Sequence, residues 1–224
     1  MHYNEILRKL NSLSNPDAVE GMVKCGITPE NTYGVSIPEL RKIASVTKRN
    51  HELAKQLWKK NTRETRILAS MIDEPNKVDE KQMEKWVREF SYWEICDQVI
   101  MNLFEKTKFA YEKAFEWAER KEEFVKRAGY VLMARLVVSD KKAEDRIFEK
   151  FFPMIKQGSD DSRNFVKKAV NWALRQIGKR NKNLNKKAIE VAIEIEQMTS
   201  SSAKWIASDA LRELKSSEVQ NRLN

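Results

Sequence analysis

The sequence is 224 residues long and basic, with 42 Lys and Arg against 33 Asp and Glu and a formal charge of +9 at pH 7. Two cysteines, Cys25 and Cys96, exclude a disulfide framework, and an apolar fraction of 41% recurring at helical spacing excludes a disordered chain. The positive excess points to a polyanionic partner, usually nucleic acid.

In chain order, the opening MHYNEILRKLNSLSN lacks an apolar core of signal-peptide length. No later run approaches the roughly 20 apolar residues that span a bilayer, so a cytoplasmic chain with no membrane partner is expected. The helical pattern is nearly continuous, with breaks near SNPDA (14–18), GITPENTYGVSIP (26–38), DEPNKVD (73–79), VSDKKAED (138–145), FPMIKQGSDDS (152–162) and KRNKNLN (179–185). Asp79 is suited to cap the helix that follows it, as is Asp161 or Ser162 before RNFVKKAV. No period-2 run appears; RLVV (135–138) continues a helical pattern. The run KKNTRETR (59–66) reads as a solvated turn and helix start. Trp58, Trp86, Trp117 and Trp205 read as packing between helices.

Two stretches place tryptophan at the margin of an apolar stripe. In SYWEICDQVIMNLF (91–104), Ile95, Cys96, Val99, Ile100 and Leu103 form the stripe, with Trp93 at its edge and Asp97 one turn later. An i,i+4 pair shares a face, so indole and carboxylate stand side by side. The pair is either a site or a core margin beside a solvated acid. In FVKKAVNWALRQIGKRN (165–181), Phe165, Val166, Ala169, Val170, Ala173 and Ile177 form the stripe. Trp172 falls among Lys168, Arg175 and Lys179 on the other side.

FVKRAGYVLMAR begins at Phe124 and FVKKAVNWALRQ at Phe165, an interval of 41 residues from 124 to 165, with a weaker echo in WIASDALREL near 205. A helix-pair repeat of about 40–47 residues is the period of HEAT and armadillo arrays. An all-α, HEAT-like solenoid forming one domain over 1–224 is therefore expected, with a concave surface. The repeat places Arg127 at the register of Lys168, opposite the stripe of Phe124, Ala128, Leu132 and Leu136. Successive repeats are thus expected to turn cations to one side, as a basic lining for phosphates.

Much chemistry is missing. His2 and His51 are isolated, no cluster has metal-ligand spacing, and no phosphate-cradling glycine loop or nucleophile elbow appears. No metal or cofactor is expected, and an enzyme here would work with carboxylates, aromatics and cations.

The motifs WEICD, FVKRA, FVKKAVNWALRQIGKRN, WIASDALREL and the early YGVSIPELRKIA together resemble the DNA alkylation repair proteins of the AlkD-like, HEAT-repeat type, over nearly the whole chain. The resemblance implies a monofunctional glycosylase that removes cationic alkylpurines such as 3-methyladenine and 7-methylguanine from double-stranded DNA held in a concave face, without flipping the base. It matches Trp93 and Trp172 to indoles that approach the lesion's deoxyribose, and Asp97 to the acid essential for excision. It matches Arg127 and Arg175 to arginines that hold the DNA backbone, while Lys168 and Lys179 join them through their helical register. Two positions depart from the family pattern: Tyr92 stands where a second Trp can occur, and Cys25 where an N-terminal aromatic often lies, so no site role is assigned there. A monomer, nucleoid-associated when on DNA, is expected. The alternatives are a non-catalytic DNA-binding relative and a protein–protein scaffold.

Overall fold

Apolar stripes at helical period must be buried against other helices, and the chain does this by pairing helices in series. The computed structural model describes residues 1–223, and every regular element among them is helical. The first compact unit, Met1–Lys108, contains α1 (Tyr3–Ser12), α2 (Pro16–Lys24), α3 (Ile37–Thr47), α4 (His51–Lys59), α5 (Arg63–Ile72), α6 (Glu80–Arg88) and α7 (Trp93–Asn102). The second, from Phe109 onward, contains α8 (Ala110–Ala118), α9 (Glu123–Ser139), α10 (Asp145–Glu149), α11 (Phe152–Gly158), α12 (Asn164–Gly178), α13 (Lys182–Glu196), α14 (Ser201–Leu214) and α15 (Ser217–Leu223).

Within the first unit, α5 packs against α3, α4 and α7, so α3, α5 and α7 form one row backed by α4. Trp58 of α4 and Trp86 of α6 stack face to face, centroids 3.9 Å apart and planes within 3°. The Trp58 indole N–H donates to Glu89 at 2.7 Å, so this buried pair keeps its polar edge satisfied. In the second unit, α9 packs between α8 and α12, and α12 in turn packs on α14 and α13. The first stripe read from the sequence, Ile95, Cys96, Val99, Ile100 and Leu103, is interior, and so is the second, Val166, Ala169, Val170, Ala173 and Ile177, apart from the half-buried Phe165 at its start.

Most breaks fall where expected. Asp79 caps α6 by accepting from the Gln82 N–H at 2.8 Å. The stretch 152–162 differs, because α11 occupies its first half. Pro153 sits in the first turn of α11, where its missing N–H costs nothing, and Phe152 and Ile155 bury an apolar face. The cap before α12 also differs: the N-cap residue is Arg163, with no side-chain cap. Asp161 instead grips the Arg163 guanidinium at 2.6 and 2.9 Å and Lys126 at 3.1 Å. Burial works against its charge, but Arg163 and Lys126 outweigh this and hold the carboxyl at about 2.

The contact between α8 and α9 depends on one glycine. A Cβ at Gly129 would lie 2.4 Å from the Ala118 backbone nitrogen, an overlap that neither helix backbone can relieve locally. Gly129→Ala is expected to destabilise the protein by about 1–3 kcal/mol through forced separation of the helices. A denaturant midpoint lowered at unchanged slope is the expected reading; an unchanged midpoint would contradict this close approach.

Candidate functional site

The start of α7 is set by buried charge. Arg63, Glu64 and Glu94 are 3%, 0% and 6% exposed. The Arg63 guanidinium donates twice to Glu94, both bonds at 2.7 Å, and once to the Val35 carbonyl at 2.8 Å. Glu64 accepts from Thr32 Oγ1 at 2.8 Å and from the backbone N–H groups of Tyr33 and Val35 at 2.9 and 3.1 Å. Burial opposes the guanidinium's charge, but Glu94 and Glu64 outweigh it and raise its pKa above the ordinary arginine value. The solvated turn expected at 59–66 is therefore exposed only as far as Asn61; from Thr62 to Thr65 the chain is interior.

This cluster fixes the N-terminal turn of α7, where Trp93 is the first helical residue. Trp93 is half-buried, and its indole N–H donates 2.8 Å to the backbone carbonyl of Cys25 at the end of α2. Cys25 thus meets Trp93 through its main chain rather than its thiol. Asp97, one turn on, is only 7% exposed, which corrects the alternative of a fully solvated helix acid. Tyr92 is buried as the N-cap residue of α7, and burial, followed by the Glu94 charge, pushes its phenol up.

On α12 the structure divides the expected cations. The helix lies in register with α14, its cross-helix carboxylate partners 38 or 34 residues on. Asn171 donates to Asp209 at 2.7 Å, Arg175 pairs with Asp209 at 3.4 Å and more closely with Glu213, and Lys179 reaches Glu213 at 2.5 Å. Glu213 is partly desolvated, but Lys179 and Arg175 outweigh that and lower its pKa. Arg175 and Lys179 therefore spend charge on α14, which corrects the picture of three equivalent cations beside Trp172. Lys168 is exposed, and no carboxylate pairs with it among the described residues. Trp172 is half-buried one turn further along.

Arg127 is a second correction. It is 5% exposed, and its guanidinium donates 2.6 Å to the Phe165 carbonyl in the first turn of α12. The reason is that α9 is covered by α8 and α12, so the side opposite its apolar stripe is interior too. Phe124 and Phe165, the two repeat-initiating residues, pack together with centroids 5.5 Å apart. The 41-residue sequence repeat and the 38-residue spacing of the Arg127–Phe165 contact differ by nearly one helical turn.

The anchoring acids Glu94, Asp209 and Glu213 were not singled out as such from the sequence. The spacing of Asp209 and Glu213, four apart as are Asn171 and Arg175, was a usable signal. Among the described residues, no three His, Cys, Asp or Glu side chains gather as metal ligands, and no helix is long and apolar enough to cross a membrane.

Residues 6–214 match the sequence model of the family described as DNA alkylation repair enzyme. The chain belongs to that family. Uncharacterised proteins of Listeria innocua and Listeria monocytogenes are similar to this DNA alkylation repair family member at 25% and 24% identity, over 85% of this chain and 84% of each relative. A solved structure described as a new family of proteins related to the HEAT-like repeat DNA glycosylases, with affinity for branched DNA structures, shares the fold. Its TM-score is 0.79 at 20% identity, covering 100% of this chain and 96% of that one. The expected all-helical HEAT-like architecture is thereby shown.

Removing Arg63 would leave Glu64 and Glu94 buried beside each other's charge. Arg63→Ala is expected to cost about 3–5 kcal/mol of unfolding free energy, measured by denaturant titration. A loss below about 1 kcal/mol would mean the cluster contributes no more than a surface ion pair.

Proposed function

We propose that this protein hydrolyses the N-glycosidic bond of cationic alkylpurines, such as 3-methyladenine and 7-methylguanine, in double-stranded DNA, acting as a monomer on a base left in the duplex. The observation that carries the reading is the pair on α7: Trp93, its indole edge tied to the Cys25 carbonyl, and Asp97, an acid largely withdrawn from water one turn away. Its support is membership of the DNA alkylation repair family together with that geometry.

A purine alkylated at N3 or N7 already carries positive charge, so it leaves without further protonation. The bond between C1′ and the base nitrogen breaks, its electron pair neutralises the departing base, and positive charge develops on the sugar. Water then adds to C1′ and releases a proton. Asp97 stabilises the cationic sugar by Coulomb attraction and orients the water. Unit charges about 4 Å apart at an effective dielectric near 20 attract by about 4 kcal/mol, or about three decades of rate if specific to the transition state. The Trp93 ring adds about 0.5–2 kcal/mol of attraction for cationic sugar, and the family resemblance implies the same role for Trp172. Lys168 is the α12 cation best placed to meet phosphate, Arg175 and Lys179 contribute a field reduced by Glu213, and Arg127 acts by holding α12 in place.

These sums suit only a substrate that already tends to depurinate. Purified protein is expected to release 7-methylguanine from methylated duplex. Asp97→Asn should lower the single-turnover rate by about three decades, while hypoxanthine stays in the duplex. Efficient hypoxanthine release, or an unchanged rate in Asp97→Asn, would contradict the mechanism. A second reading, DNA binding without excision, is favoured by the branched-DNA affinity ascribed to the structural relative; the same assay separates the two.

Glu213→Gln removes the charge that restrains Arg175 and Lys179. The slope of log affinity against log salt is expected to steepen by about one unit, the equivalent of one further phosphate contact. An identical slope in the variant would show that these two cations do not face DNA.

A further inference from the structure

Of the tryptophans, one departs from the expectation of packing between helices. Trp205, on α14, is 40% exposed, whereas Trp58, Trp86 and Trp117 are buried. Trp205 is therefore not part of the buried core. Its ring lies instead beneath a cation, the Lys167 ammonium 4.8 Å from the ring centroid. Lys168 and Lys204 are both exposed, the first following Lys167 and the second preceding Trp205, and neither pairs with a carboxylate among the described residues. The nearest acid along the helix, Asp209, is one turn away and already occupied by Asn171, Arg175 and Arg212. A large flat apolar surface is thus held partly in water under one lysine, with two more exposed lysines next in sequence to the contact and the local acid compensated.

We propose that Trp205 is a stacking platform for an unpaired nucleobase of DNA, with Lys167, Lys168 and Lys204 meeting the adjoining phosphates. The chemistry selects this occupant. Lysines around an indole complement a polyanion that also carries flat aromatic faces, and in single-stranded DNA those faces are open. In an intact duplex each base is already stacked on both sides, so the platform would find no face to cover. A peptide partner would need acidic and apolar groups together to match the same surface. The Lys167 ammonium on one face of the indole also locks the ring, leaving its exposed remainder preorganised for a base.

The register of α12 and α14 supports the assignment independently. The series Lys167, Asn171, Arg175 and Lys179 on α12 meets Trp205, Asp209 and Glu213 on α14 rung by rung. Every rung but the first closes polar group to polar group. At the first, α14 presents an indole, and the seam opens to solvent. The sequence W-x-x-x-D occurs here, at Trp205 and Asp209, as it does at Trp93 and Asp97. The acid differs in environment: Asp209 is tied up structurally, so this second pair is a binding element and not a second reaction centre.

The inference rests on the reading that this chain holds DNA, and the test keeps the two separable. The full chain is titrated by fluorescence anisotropy with three probes: a blunt duplex, the same duplex with a short single-stranded tail, and one whose tail carries abasic sugars at the same positions. The wild-type protein is expected to bind the base-bearing tail about tenfold tighter than the abasic tail. Trp205→Ala should abolish that difference while leaving blunt-duplex affinity and 7-methylguanine release unchanged, and Trp205→Phe should retain part of it. Equal affinity of the wild type for the two tails, or a preference undiminished in Trp205→Ala, overturns the platform. Loss of blunt-duplex binding by the wild type would instead strike at the DNA reading itself.

Discussion

The doubly bonded contact between Arg63 and Glu94 is the constraint on which the candidate reaction centre depends. A buried ion pair gains stability only when its remaining donors and acceptors are also satisfied. Here the Val35 carbonyl and Glu64 complete the guanidinium, while Thr32, Tyr33 and Val35 complete Glu64. Three separate parts of the chain are thereby joined: the coil before α3, the start of α5 and the first turn of α7. Glu94 follows Trp93 directly, so the same bonds that bury Glu94 set the orientation from which the Trp93 ring and the Asp97 carboxylate project. The Cys25 carbonyl then fixes the indole edge from a fourth point.

The second unit uses charge differently. Its polar seam between α12 and α14 consumes Arg175 and Lys179, so a chain of net charge +9 displays fewer free cations on that helix than its wheel suggests. Restrained cations keep their positions without paying side-chain entropy on meeting a phosphate, and they contribute a weaker field than free ones. Lys168 and Lys204 are among the exposed lysines of this unit with which no carboxylate pairs among the described residues.

Periodicity made the fold legible: stripes drawn at 100° steps are interior in α7 and α12, and the repeat beginning at Phe124 and Phe165 corresponds to two packed helices whose first aromatic rings touch. The break assigned to 152–162 failed because proline and glycine were read as punctuation. Pro153 is harmless in a first helical turn, and Gly158 ends the helix rather than interrupting it. Arg127 was misplaced because a helical wheel supplies one buried face, whereas α9 is covered by helices from two directions. Arg63 and Glu64 looked solvated in a run of charges, since their partners are some thirty residues away and no local pattern announces them. The tryptophan and aspartate of α7 were visible as a spacing; what holds them was not.

The most direct test of the central claim is a double-mutant cycle on unfolding free energy using Arg63→Ala, Glu94→Ala and the combined variant. If the forked bond anchors α7, the two single losses will not add, and the coupling will be about 2 kcal/mol or more. Additivity to within about 0.5 kcal/mol would show that the two side chains act independently and that something else holds the helix carrying Trp93 and Asp97.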